Sequence, residues 1–191
     1  MKRSDQQLIQ EHLAGDTQAF EAVVRRYGPG LLGYLSRLCA SPEDAEDCFQ
    51  EVFQRVYAKA HTIKSGHFRA WLFRVATNLA MDGFRRNRRT RAVSLFQSTD
   101  DDQGPEAESM CVLADTTMNP VEQIELSEQT QQVRDAIQSL PERQRATLIL
   151  AYYQQLTYRQ VAQVLGCSVG TVKQQTYRAL KLLAQKLPDP G

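Results

Sequence analysis

The chain has 191 residues, 42% hydrophobic and 24% charged, with a formal net charge of +1, which bounds it to a folded protein of one ordinary domain or two small ones. No apolar run approaches the ~18 residues needed to cross a bilayer, and the opening MKRSDQQLIQEHLAGD has no signal-peptide core, so a cytoplasmic protein without membrane insertion is expected. The four cysteines (Cys39, Cys48, Cys111, Cys167) form no CxxC pair, and none lies close in sequence to a histidine. They read as buried or idle thiols in a reducing compartment, with no metal and no cofactor expected.

The near-neutral total hides strong segregation. Met81 to Arg91 carries five arginines and one aspartate, and Ala92 to Val133 carries nine acids and no Lys or Arg. Arg143 to Leu187 carries seven Lys or Arg and no acid. Two polyanion-binding ends joined by an acidic connector would produce this pattern.

In chain order, the expected organisation is a helical module over residues 5–91, an acidic flexible linker over 92–118 and a second helical module over 119–187. There is no alternating strand pattern, so the fold class is all-α. Within the first module, Pro42 to Ala60 has apolar Ala45, Cys48, Phe49, Val52, Phe53, Val56, Tyr57 and Ala60 at helical spacing, with Ser41 as cap and Pro42 at the first turn. Its early turns hold Glu43, Asp44, Glu46, Asp47 and Glu51. Attraction to the helix dipole explains part of that acid cluster; an electrostatic surface for a partner is the other reading.

Phe68 to Arg89 predicts a helix apolar on two faces, with Phe68, Trp71, Leu72, Val75 and Leu79 on one and Phe73, Thr77, Ala80 and Phe84 on the other, as for a helix inside a bundle. One edge between those faces carries Arg74, Asn78, Met81, Arg85 and Arg88. That edge is either solvated or faces nucleic acid, with arginine on phosphate and asparagine on a base edge. The segment 92–118, SLFQSTDDDQGPEAESMCVLADTTM at its centre, has no period and reads as loop or disorder. Asn119-Pro120 can start the next helix.

The sharpest constellation is TYRQVAQVLGCSVGTVKQQTYRALKLL. A helix-turn-helix needs a small residue at the helix crossing, a glycine four residues on and an apolar residue six further, and Ala162, Gly166 and Val172 fit those spacings. Thr157 with Gln160 makes a capping box, and Ser168 can cap the second helix. Val161, Leu165, Val172, Leu180 and Leu183 supply the core side. Thr171, Lys173, Gln174, Gln175, Tyr177, Arg178 and Lys181 are left for the exposed side, suited to a major groove. A basic helical hairpin without DNA is the blander alternative.

Together these motifs resemble the extracytoplasmic-function (ECF) group of the sigma-70 family of RNA polymerase sigma factors. GDTQAFEAVVRRYGPGLLGYL, SPEDAEDCFQEVFQRVY and FRAWLFRVATNLAMDGFRRNRR are similar to successive helices of the region 2 domain, a helical bundle. LPERQRATLILAYYQQLTYRQVAQVLGCSVGTVKQQTYRAL is similar to the region 4 helix-turn-helix domain. The resemblance covers nearly the whole chain except the linker. It implies a non-catalytic alternative sigma factor that binds the polymerase core through the β′ clamp and the β subunit. It implies that Asp44, Asp47, Gln50 and Glu51 meet the core. It further implies that Arg74, Asn78, Arg85 and Arg88 contact −10 DNA, with a loop around Ile63 to His67 holding a flipped base. Thr171, Lys173, Gln174, Gln175 and Arg178 are implied to read the −35 element of promoter DNA. Gln174-Gln175 replaces the family's frequent Ser-Arg and removes one phosphate or guanine contact. An anti-sigma factor is a further implied partner, and the free protein is expected to be a monomer. A free-standing helix-turn-helix regulator is the rival account, but it leaves the acidic helix and the arginine-edged helix without a task.

Overall fold

The computed structural model describes residues 3–63, 66–94 and 130–187, with side chains as far as Arg88 in the second stretch. Every regular element among the described residues is helical: α1 (Asp5–Leu13), α2 (Thr17–Leu38), α3 (Pro42–Lys59) with a 3-10 turn (Ala60–Thr62), α4 (Phe68–Ser94), α5 (130–138), α6 (Glu142–Leu148) running into a π-turn (Ile149–Tyr153), α7 (Tyr158–Leu165) and α8 (Val169–Lys186). The linker reading falls outside the described residues, apart from 92–94, where α4 continues as helix beyond the expected boundary at 91. The Asn119-Pro120 start also lies outside them, as do the middle residues of the loop Ile63 to His67.

The helix starts follow local chemistry. Ser4 and Gln7 form a capping box on α1, Asp16 accepts from the Gln18 and Ala19 amides to start α2, and Ser41 accepts from the Asp44 amide to start α3. Each satisfies backbone donors that a helix start leaves unpaired. At the first turns, Asp5 receives Arg26 at 2.5 Å and the Tyr27 hydroxyl at 2.5 Å, pinning α1 to α2. Burial, with Asp5 beside it, raises the Tyr27 phenol further above its usual range.

The first bundle closes around Leu31, Tyr34, Leu35, Val52, Val56, Leu72, Phe73 and Ala76, all buried. The Thr77 hydroxyl donates to the Phe73 carbonyl at 2.6 Å, so its oxygen is free to accept from the buried Tyr34 hydroxyl at 2.8 Å. The two-faced reading of α4 holds: Phe68, Leu72 and Leu79 are buried on one side and Phe73, Thr77 and Ala80 on the other. The α3 stripe holds except at Tyr57, which is 63% exposed. Its ring instead lies on the surface beside His12 and Phe20, with centroids at 4.8 and 5.4 Å.

The second bundle shares one continuous apolar core with the first, through Ile137, Leu148, Ile149, Leu150, Val161 and Val164. The two modules are therefore packed together, not simply tethered: α7 lies against α4, and the π-turn and α6 lie against α2. Polar contacts follow the same seam. Gln138 donates to the Arg37 carbonyl at 3.1 Å and the Cys39 carbonyl at 3.3 Å. Arg145 donates to the Leu38 carbonyl at 3.2 Å and to the Gln138 side-chain oxygen. These bonds satisfy carbonyls that the end of α2 leaves without helical partners. Arg69 donates to the Gln154 carbonyl at 2.6 Å, and the Gln154 side chain donates to the Gly30 carbonyl at 3.0 Å. Arg37 stacks over Tyr153 at 4.6 Å.

Candidate nucleic-acid interface

The helix-turn-helix forms as its spacing predicts. Thr157 and Gln160 make the capping box on α7, and Gly166 ends α7 in the left-handed region at φ +63°. A Cβ there would meet nothing within 4 Å, so the glycine is required by backbone conformation, not by crowding. Ser168 caps α8 by accepting from the Thr171 amide at 3.0 Å. Ala162 and Val172 are buried at the crossing. Leu180 departs from expectation: it is 41% exposed, and Thr176 and Ala179 fill the core side instead. Positions 172, 176 and 179 line the buried face of α8, and 180 sits about 100° around the helix from 179, at the edge of that face.

Of the residues assigned to DNA on α8, Lys173, Gln174 and Arg178 are exposed, as are Tyr177 and Lys181. Thr171 is half-buried and shares a hydrogen bond with Ser168 at 2.9 Å. Gln175 stands apart from the others: its side-chain oxygen accepts from the Thr147 hydroxyl at 2.7 Å, tying α8 to α6. Thr147 is buried but could not be matched to Gln175 in sequence, because the pair is 28 positions apart.

On α4, Arg74, Asn78, Arg85 and Arg88 are all exposed along one edge. Arg85 reaches Asp82 at 3.1 Å, one turn away, and Arg88 reaches Glu142 on α6 at 2.8 Å. The edge is thus graded. Its early part presents Arg74 and Asn78 to solvent, and its late part is already engaged, in one case by the other module.

On α3, Asp47, Gln50 and Glu51 are exposed and Asp44 is half-buried. Glu51 pairs with Arg55 at 2.6 Å. Asp44, Asp47 and Glu51 border a small cleft between α3 and α4, with Cys39 and Cys48 on its wall. The acid cluster is thus one continuous surface and extends beyond the first turn that dipole stabilisation would reach. No group of three or more His, Cys, Asp or Glu among the described residues is arranged to hold a metal ion. No described helix is long and apolar enough to cross a membrane.

Sequence reasoning missed the residues of the seam, Gln138, Arg145 and Gln154. Arg145 is only 7% exposed and forms no ion pair among the described residues; burial lowers its pKa, and nearby Glu142 opposes that shift. Its guanidinium lies over the Phe84 ring at 5.5 Å. It is one of the seven basic residues of the stretch from Arg143 to Leu187, and it serves as a hydrogen-bond donor to the end of α2.

Comparison with known proteins agrees with both modules. Residues 23–90 match the model for Sigma-70 region 2, and residues 130–183 match that for Sigma-70, region 4. The chain is 31% identical over 186 residues to the ECF RNA polymerase sigma-E factor of Escherichia coli K12, covering 96% of this chain and 94% of that protein. It is 29% identical over 174 residues to the ECF RNA polymerase sigma factor RpoE of Cereibacter sphaeroides, covering 90% and 88% of the two chains. Its fold is similar to that of the sigma factor RpoE of Bartonella quintana, solved in complex with the anti-sigma factor NepR. The TM-score is 0.66 at 23% identity, over 92% of this chain and all of that one.

Proposed function

The chain belongs to the ECF group of the sigma-70 family, alternative sigma factors that direct promoter-specific transcription, and on that premise we propose how its surfaces divide the work. Residues 5–91 act as the region 2 domain and 119–187 as the region 4 domain, joined by the acidic segment 92–118. Asp44, Asp47, Gln50 and Glu51 form the surface for the β′ clamp. The continuity of that acidic face along α3 supports this role, since clustered exposed charge both steers a partner and selects it. Arg74 and Asn78 make the first −10 contacts. Arg85 and Arg88 join them once their present carboxylate partners are displaced. Lys173, Gln174 and Arg178 read the −35 element, with Thr171 and Gln175 beside them.

The observation that carries the mechanism is the seam. The −35 and −10 elements are separated by about 25 base pairs, or roughly 85 Å at 3.4 Å each. With α7 packed directly on α4, both reading helices cannot reach their elements at once. The docked form is a resting state that reads promoters poorly. Core polymerase holds the modules apart, and the second reader then binds at high effective concentration. Flipping a base from the stack at −10 costs a few kcal/mol, which the contacts of α4 and its preceding loop offset. The protein acts in the cytoplasm as a subunit without catalysis of its own. An anti-sigma factor, as in the Bartonella complex, is its natural antagonist.

Run-off transcription with core polymerase and a library of promoter-length DNA tests this reading. Transcripts that require the protein and share aligned −35 and −10 sequences support it. Tight specific DNA binding by the isolated chain, with no effect on core, would establish the free-standing regulator instead.

A further inference from the structure

A cavity of about 320 Å³ opens on the seam, at the lower end of the roughly 300–1,000 Å³ range of small-molecule sites. Both modules build its wall: α2 gives Arg37, α5 gives Val133, Arg134, Ile137 and Gln138, and the π-turn gives Tyr153. No Asp or Glu is among its described lining residues, so its two cations set the sign of the field inside it. Arg37 is held in place before any ligand arrives. Its Nη1 donates to the Gly33 carbonyl at 2.8 Å, and its guanidinium lies over the Tyr153 ring at 4.6 Å. One of its five N–H donors is used in that bond, and it forms no ion pair among the described residues.

We propose that this cavity binds a small planar organic anion, and that the bound anion holds the two modules docked. The acid head, a carboxylate or a phosphate, meets Arg37 and Arg134. A planar guanidinium suits either head, because its paired donors match two oxygens at once. The flat body lies against apolar Val133 and Ile137, which share one face of α5 at i, i+4 spacing. Tyr153, whose ring is 45% exposed, supplies an aromatic surface at the same site, and flat ligands stack on such rings.

The site is complete only in the docked form. Gln138 on its wall donates to the Arg37 and Cys39 carbonyls, so the wall closes where α5 sits on the end of α2. Separating the modules takes Arg37 away from Arg134 and Tyr153. An anion that needs both sides therefore has a much lower affinity for the open form, and that difference is what lets a ligand shift an equilibrium. Binding to one state alone stabilises it by mass action, in proportion to ligand concentration over Kd.

Binding can be tested without polymerase. The full chain is titrated calorimetrically with guanylate and with salicylate, and with guanosine, salicylamide and inorganic phosphate as controls that lack either the charge or the flat body. At least one of the two anions should bind saturably with one site per chain and raise Tm, and its control should bind at least tenfold more weakly. Arg37→Met should weaken that binding at least tenfold, the scale of one charge-assisted hydrogen bond. Val133→Trp, which fills the cavity and leaves both arginines in place, should abolish it. Saturable binding by neither anion would overturn the proposal, as would binding that survives both substitutions or that inorganic phosphate alone reproduces. The effect on core polymerase rests on the sigma-factor reading and its docked resting state. At ten times its Kd, the anion should weaken core binding about tenfold in the unaltered chain and have no effect in Val133→Trp. Unchanged core affinity at saturation would overturn the claim that the anion holds the modules docked. A ligand-free chain that does not bind core would count against the sigma reading instead, with the calorimetric result for the site standing independently.

Discussion

Arg88 on α4 and Glu142 on α6 meet at 2.8 Å, although 54 positions separate them in the chain. An arginine expected to face −10 DNA is thus held by the module expected to read −35. The pair is a weak tie, because the Arg88 side chain is 74% exposed and exposed ion pairs contribute only ~0–1 kcal/mol. The stronger tie is buried, where Gln138 and Arg145 complete the carbonyls at the end of α2.

That difference predicts which substitution opens the molecule. Gln138→Ala removes two donors to the Arg37 and Cys39 carbonyls and one acceptor for Arg145. Leaving such buried groups unpaired costs about 1–3 kcal/mol. Energy transfer between dyes at the exposed positions Glu43 and Gln174 should shift toward longer distances in Gln138→Ala. The shift should be small in Glu142→Ala. Equal opening by both would mean that the exposed pair, not the buried set, holds the seam.

The Tyr34–Thr77 bond predicts an asymmetry inside the first bundle. Tyr34→Phe removes a hydroxyl whose partner keeps its own bond to the Phe73 carbonyl, so about 0.5–1.5 kcal/mol should be lost. Thr77→Val strands a phenol in a fully buried position, and the cost should be larger, roughly 1–3 kcal/mol. The double variant should be less damaged than the sum of the two. Urea unfolding of the four proteins forms the cycle, and strict additivity would show that the hydroxyls do not depend on each other.

Elements whose stability is local were legible in the sequence. The caps at Ser41, Thr157 and Ser168, the glycine at 166 and the two-faced α4 all follow from residues a few positions apart, and each is found in place. What escaped depends on partners distant in the chain. Tyr57 fits the α3 stripe by spacing, yet its ring stays at the surface beside His12 and Phe20. Leu180 is apolar, but Ala179 already fills the facing space. Gln175 has the spacing of a free reader, yet Thr147 reaches it, and the end of α2 receives Arg145, a pairing no local pattern marks. In each case, periodicity gives a residue's face but not what another helix places opposite it.

Gly166 offers a clean test of the turn. Its φ of +63° is costly for a side chain, yet the space around it is open. Gly166→Ala should therefore destabilise the second module by about 1–2 kcal/mol, with no steric addition. Gly166→Asn should cost less, because asparagine tolerates the left-handed region. Thermal unfolding separates the two. Equal losses for alanine and asparagine would place the cost in something other than backbone conformation.

Charge reversal should separate the two surfaces of the first module. Asp47 on α3 is exposed within the acidic face, and Arg74 on α4 is exposed without an ion-pair partner among the described residues. Asp47→Lys should reduce core affinity at least tenfold, equivalent to ~1.4 kcal/mol, because like charge then faces the partner site. Arg74→Glu should leave core affinity nearly intact while reducing open-complex formation. The salt dependence of promoter binding should also become shallower by about one phosphate contact. Core binding by fluorescence anisotropy and open complex by permanganate footprinting give the two readouts. If both variants lost both activities in equal proportion, α3 and α4 would be acting as one surface, and the assignment of polymerase to one helix and DNA to the other would be wrong.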